Sequence, residues 1–272
     1  MKQFRDIVRA FTSAPDYDSI LRFVKPLKDH FGINHFWYAR ITFTGKHSYF
    51  GTTREQVEDC MNEGMVDHFA TLRHPSLIQP GISLMKADGD EKFQKILDRS
   101  WEKFQIHFSL TLNRPTPDGV ESFGFGTQFK NPKIEEQLLN EAPVLTHFIH
   151  VFRQKYQRFI RSVDEVEADL REYLGPVFYE HPKGLQLPLD RSLFLREIGT
   201  HLPSFTSREI DILKLLANGF PASYIGKKLH LSPRTIENYL AGLKAKLHCK
   251  DKVELIQKTQ DIAATGYLGT VL

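Results

Sequence analysis

The run Phe205-Thr-Ser-Arg-Glu-Ile-Asp-Ile-Leu-Lys-Leu-Leu-Ala-Asn-Gly219, continued by Pro221-Ala-Ser-Tyr-Ile-Gly-Lys-Lys-Leu-His-Leu-Ser-Pro-Arg-Thr-Ile-Glu-Asn-Tyr-Leu240, decides the fold of the C-terminal part. Thr206 and Glu209 have capping-box spacing, so a helix starts there, with Ile210, Leu213, Leu216 and Ala217 at helical intervals and Gly219 as its left-handed stop. Pro221, tolerated in a first turn, opens a short second helix whose apolar stripe is Ile225 and Leu229. Ser232-Pro233 then supplies a cap and a first-turn proline for a third helix over about 233–247. Its inward face is Ile236, Leu240, Leu243 and Leu247, and its outward face carries Arg234, Glu237, Asn238, Ala241, Lys244 and Ala245. Asp251 and Glu254 repeat the capping-box pattern for a fourth helix.

Charge follows the same boundary. The 272 residues carry a net charge of only +3, which by itself points to no polyanionic partner. Yet residues 201–272 hold 10 Lys or Arg against 6 Asp or Glu, while residues 1–200 hold 26 against 27. Between Lys227 and Lys250 six cations face one anion, Glu237. A solvated helix face would account for the charge alone; the spacing favours a different use. Two short helices joined by a tight turn, the second with a polar and partly basic outer face, form a helix-turn-helix. Such a helix fits the major groove, where Asn can pair with adenine and flanking cations neutralise phosphates. Amides at the start of the third helix add an anion contact.

These residues, with Lys246-Leu247, closely resemble the LuxR/FixJ-type DNA-binding domain over about 60 residues without a gap. The resemblance implies that Glu237, Asn238 and Ala241 point into the groove, while Lys227, Thr235 and Lys244 meet the backbone. Pro221, Gly226, His248 and Ala241 depart from the usual residues, which leaves the operator sequence open. Lys227, Arg234, Thr235, Glu237, Asn238, Ala241 and Lys244 are the candidate DNA contacts. Asn238 is the foremost candidate for direct readout; Glu237 either accepts from cytosine or holds Lys244 or Arg234 in place.

The first 174 residues read as mixed α/β, giving an α-β-α sandwich followed by an all-α C-terminal domain. Helical periodicity over 2–11 and 17–30 precedes strands at 34–44, 46–52, 105–113 and 121–129, rich in aromatic and β-branched residues. The turn Pro115-Thr-Pro-Asp-Gly119 makes the last two a hairpin. Helices are expected at 54–72 and 88–103, and a long helix or helix pair at 132–174, broken at Pro143.

This order resembles the sensor domain that precedes the same DNA-binding module in quorum-sensing regulators. In that family a Trp, a Tyr four residues later and an Asp-Pro nine after that hold the lactone head of an acyl-homoserine lactone. At matching spacing stand Met61, Met65 and His74-Pro75, so the resemblance implies a pocket without the usual lactone pose. The many aromatics, among them Trp37, Tyr38, Tyr49, Trp101 and Phe108, are either plain core or the walls of an apolar cavity. In the second case Tyr38, Tyr49, His74 or His107 are its polar anchors, and Gly124 and Gly126 leave room for a ligand or a close helix. Tyr38, Tyr49, Met61, Met65, His74 and Trp101 are the candidate ligand contacts.

Enzyme chemistry finds little support: no GxSxG, Walker, HExxH or GxGxxG pattern occurs, and no catalytic residue or cofactor is expected. Cys60 and Cys249 fit neither a disulfide framework nor a metal site, and His147 with His150 lacks an acidic partner in sequence. No stretch of about 18 apolar residues offers a membrane span, and the charged start fits no signal peptide, so a cytoplasmic protein is expected.

The expectation is therefore a transcription regulator with an α/β sensor and dimerisation domain (1–174), a linker (175–203, with a short helix at 191–198) and a helix-turn-helix domain (204–272). Its partners would be a double-stranded DNA operator, a second copy of the chain and a small apolar ligand. The alternative is a ligand-independent dimer whose N-terminal domain docks proteins. A stripe of Leu138, Leu145, Phe148, Phe152, Phe159 and Val166 is available for dimer pairing or for core.

Overall fold

The computed structural model describes residues 2–87, 90–180, 197, 203–264 and 268. The chain divides into two compact units, Met1–Leu185 and Gln186–Leu272. Most of the stretch read as linker, 181–196 and 198–202, lies outside the described residues, and so does the expected helix at 191–198 apart from Glu197. The first residues of that stretch, Gly175–Tyr179, form a 3-10 turn whose Phe178 is fully buried in the N-terminal core.

In the N-terminal unit, α1 (Lys2–Thr12) and α2 (Tyr17–Phe31) lead into β1 (Ile33–Thr42) and β2 (Lys46–Gly51). After α3 (Arg54–Asn62) come two 3-10 turns, β3 (Gly81–Leu84) and α4 (Glu91–Phe104), then the hairpin β4 (His107–Thr116) and β5 (Gly119–Thr127). Helices α5 (Pro132–Asn140), α6 (Ala142–Lys155) and α7 (Gln157–Asp164), the two-residue β6 (Ala168–Asp169) and α8 (Leu170–Leu174) close the unit. The sheet order is β3-β4-β5-β1-β2-β6 with antiparallel pairing throughout.

Three details differ from the expectation. The helix over 54–72 stops at Asn62, because Gly64 takes a left-handed conformation (φ +69°) and the chain continues as a 3-10 turn over Met65–His68. The helical run over 132–174 is three helices and then β6: Pro143 starts α6, Tyr156 interrupts, and Ala168–Asp169 pair with Lys46 and His47. Strand β3, too short for its alternation to register, pairs with β4 at Gly81↔Asn113 through Leu84↔Leu110.

Strand alternation gives the sheet two unlike faces. Phe36, Tyr38, Phe50, Phe123 and Phe125 join one core with Ile7, Phe11, Ile20, Phe152 and Phe159. The stripe foreseen for pairing lies here: Leu138, Leu145, Phe152 and Phe159 are buried, with Phe148 and Val166 packed on them. On the opposite face Trp37, Ala39 and Phe108 join Cys60, Met85, Phe93 and Ile96. The layout is helices on both faces of an antiparallel sheet.

The C-terminal unit contains α9 (Ser207–Ala217), α10 (Ala222–Leu229), α11 (Pro233–Lys246) and α12 (Lys252–Ala264) around Ile212, Leu213, Leu216, Ile225, Ile236 and Leu243, together with Leu240, Leu255 and Ile262.

Candidate functional sites: an exposed helix face and a cavity beside the sheet

The capping box of α9 is complete. Glu209 N donates to Thr206 Oγ1 at 3.2 Å, and Thr206 N donates to Glu209 Oε2 at 2.7 Å. The same carboxylate accepts from Lys246 Nζ at 2.8 Å, which holds its pKa below the usual range, and Lys246 also lies over the Phe205 ring. One of the six cations of the basic stretch is thus tied to the frame of the unit. His230 ends α10 in the left-handed region (φ 55°). A Cβ at Gly226 would stand 2.8 Å from the Leu231 carbonyl, so glycine there admits the tight turn into α11. Ser232 caps α11 by accepting from Thr235 N at 3.0 Å.

With Ile236, Leu240 and Leu243 buried, the opposite face of α11 is forced outward. Arg234, Glu237, Asn238 and Ala241 are exposed, Thr235 and Lys244 are half-buried, and Lys227 on α10 is exposed. Among the described residues no ion pair joins Glu237 to Arg234 or Lys244. Thr235 shares a hydrogen bond with Ser232 Oγ at 2.7 Å, and the other candidates form a surface with one acceptor carboxylate, an amide and cations. It is equipped to meet base edges and phosphates.

The second site is a cavity of about 70 Å³ between the sheet and the segment from α3 to Leu72. Trp37, Ala39 and Ile41 of β1 and His47 and Tyr49 of β2 line it together because Ala39↔Tyr49 and Ile41↔His47 are register pairs. Gln56, Val57, Cys60 and Met61 of α3 face them, and Phe69, Thr71, Leu72, Met85, Phe108 and Ser122 complete much of the wall. Its polar groups are few. His47 Nδ1 lies 3.2 Å from the Arg40 carbonyl, and burial lowers its pKa to about 4. Gln56 Nε2 donates to Cys60 Sγ at 3.2 Å and to Ser100 Oγ at 3.4 Å, and burial pushes the Cys60 thiol up to about 12. Buried Arg73 braces the wall by donating from Nη1 to the Phe69 and Leu72 carbonyls.

Of the six candidate ligand contacts, Tyr49 and Met61 line the cavity. Tyr38 stands on the other face of the sheet and donates to Asp164 at 3.1 Å, with Ser48 Oγ donating to the same carboxylate at 2.6 Å. Met65 is partly buried against the cluster of Trp37 and Phe93. His74 caps the turn Pro75–Leu77, accepts from Ser76 N, and packs on Phe43, Phe178 and Tyr179. Trp101 lies beneath Lys130, and His107 pairs with Glu135 at 3.5 Å. Gly124 is filled by the protein itself: a Cβ there would fall 1.8 Å from the Trp37 ring. Ala39, Gln56, Leu72 and Met85 were not singled out by sequence. Their signal was the parity of Ala39 with Trp37, which means something only once the strand partners are known.

Residues 203–259 match the family described as bacterial regulatory proteins, luxR family. The transcriptional activator protein ExaE of Pseudomonas putida is 33% identical over 91 residues, which is 34% of this chain and 42% of that protein. The response regulator RamR of Streptomyces coelicolor is 34% identical over 67 residues, 25% of this chain and 33% of that one. The chain thus spans well under half the length of these curated relatives. A crystal structure of Escherichia coli SdiA aligns over 97% of both chains with 14% identity and a TM-score of 0.37, a similarity too low to carry a conclusion. Among the described residues no helix is long and apolar enough to cross a membrane.

Proposed function

We propose that this chain, whose C-terminal domain belongs to the luxR family of bacterial regulatory proteins and is a DNA-binding helix-turn-helix rather than an enzyme, regulates transcription as a dimer on a two-part operator. The observation that carries the reading is the outward face of α11: Arg234, Glu237, Asn238 and Ala241 are exposed, with no ion pair among the described residues, on a helix anchored by Ile236, Leu240 and Leu243. A single recognition helix spans few base pairs, so specific affinity requires two. Asn238 reads a base, Glu237 is free of Lys244 and Arg234 to accept from one, and Lys227, Thr235 and Lys244 grip the backbone.

The N-terminal cavity favours control by a small uncharged signal over a ligand-independent sensor, since a domain serving only as a docking module has no need of unfilled interior beside Trp37 and Tyr49. With Met61 at the expected tryptophan position and His74 engaged in capping, a lactone in the usual pose lacks its partners. Such a signal acts by binding one arrangement of the protein more tightly than another.

Selection of sites from random DNA, followed by titration of variants, tests the DNA assignments. Asn238→Ala should cost about 1–3 kcal/mol of discrimination at one base position. Lys244→Ala should weaken all sequences alike and lower the salt dependence by about one unit. Unchanged sequence preference in Asn238→Ala overturns the readout assignment. A monomer on and off the operator, seen by light scattering, overturns the pairing.

A further inference from the structure

The lining of the N-terminal cavity narrows what can enter it. Among the described lining residues there is no Asp, Glu, Lys or Arg. His47, the titratable base in the wall, is kept uncharged at neutral pH by burial. A charged guest would give up its hydration and meet no charged side chain in the lining, since Arg73 behind the wall is turned to the Phe69 and Leu72 carbonyls.

Size adds a second limit. At about 70 Å³ the space is under half of the about 150 Å³ apolar cavity that takes benzene, so a guest of one ring enters by displacing the flexible side chains of Met61 and Met85. A flexible chain of the same carbon count gives up more rotational freedom on entering than a rigid ring does.

Shape adds a third. Trp37 is held flat on the sheet because Gly124 beneath it has no side chain. Tyr49 is nearly parallel to it, with ring centroids 6.2 Å apart and planes 24° from each other. Phe69 and Phe108 contribute further rings, and the thioethers of Met61 and Met85 suit aromatic edges. One polar group is easily redirected: the Gln56 amide donates to the Cys60 sulfur, a weak acceptor that a ligand oxygen would outcompete.

We infer that the cavity takes an uncharged molecule built on a single aromatic ring, seated against Trp37 and Tyr49 with a hydroxyl or carbonyl toward Gln56, and rejects carboxylates and long acyl chains. This rests on the cavity being the signal site.

The test uses the full chain with Trp101→Phe, so that Trp37 is the one tryptophan left to report. Its emission and the thermal midpoint are followed with 4-ethylphenol and acetophenone as neutral rings, 4-ethylbenzoate as the anion and octanamide as the neutral chain. The neutral rings should shift Trp37 emission and raise the midpoint, with 4-ethylbenzoate weaker by at least about tenfold because its charge must be desolvated. Ala39→Leu, which fills the space, should weaken the rings by about tenfold or more while circular dichroism shows the fold intact. Octanamide binding without the rings, equal binding of the anion, or Ala39→Leu folded and binding rings as before each overturns the inference while leaving a signal site standing. If none of the four binds, the reading of the cavity as a signal site falls as well.

Discussion

The C-terminal unit places its chemistry on the outside of α11, where Arg234, Glu237, Asn238 and Ala241 meet solvent, and its core is apolar apart from Thr259, which donates to the Leu255 carbonyl. The N-terminal unit does the reverse: Trp37, His47, Tyr49 and Gln56 face an interior space, and the imidazoles of His35 and His47 are buried. A surface proposed to recognise a large polyanion costs little to hold ready, because its polar groups stay hydrated until use. An interior site keeps polar groups dry in advance, so it trades stability for specificity. The two units should therefore fail under different conditions.

The largest expected difference is toward acid. Burial lowers the pKa of His35 to about 3 and of His47 to about 4, and neither ring nitrogen of His35 has a hydrogen-bond partner among the described residues. In the unfolded chain both take up protons near 6.5, so between about pH 6.5 and 4 the unfolded state binds more protons and stability falls as pH falls. Each imidazole contributes up to about 1.4 kcal/mol per pH unit. The N-terminal unit should lose stability steeply over that window in pH-dependent melts, and His35→Phe should flatten the slope. In the C-terminal unit the cited shifts are depressed carboxylates, Glu209 beside Lys246 and Glu254 at the Lys250 amide. Their contribution is present above the unfolded value and lost as pH falls through the lower folded one, so this unit should hold until below about pH 4.5. Coincident acid transitions of the two units would break the comparison.

Next in size is Phe152→Ala. Phe152 is fully buried among Phe36, Phe50 and Tyr156. Its truncation should cost the N-terminal unit about 3–5 kcal/mol. Hydrogen exchange should show unchanged protection in α9 to α12 if the two cores are separate. Smaller is Glu209→Gln, which removes the charge from the capping box and its bond to Lys246. The expected loss is about 1–2 kcal/mol in the C-terminal unit alone, read by denaturant melts.

How much of this was legible from residues alone follows from the range of the interactions involved. Thr206 with Glu209, Ser232 with Thr235 and the spacing of Ile236, Leu240 and Leu243 act within a turn or two of helix, and each appears as read. The cavity was legible only as an excess of aromatics. Tyr38 and Trp37 are neighbours in sequence, yet one donates to Asp164 on the helix-packed face and the other lines the cavity. Gly124 was read as room for a guest or a helix, but the indole of Trp37 occupies it. Likewise the stop at Gly64, which shortens α3, carries no mark that separates it from a glycine tolerated in a helix.

The amino-acid order by itself determined the helix-turn-helix and which side of α11 faces solvent, because capping and 3.6-residue periodicity are local and a buried stripe leaves its opposite exposed. Only the tertiary structure decided which residues of the sheet share a cavity. A strand's two faces are assigned by its partners' register, and those partners, β2, β4 and β5 beside β1, come from distant parts of the chain.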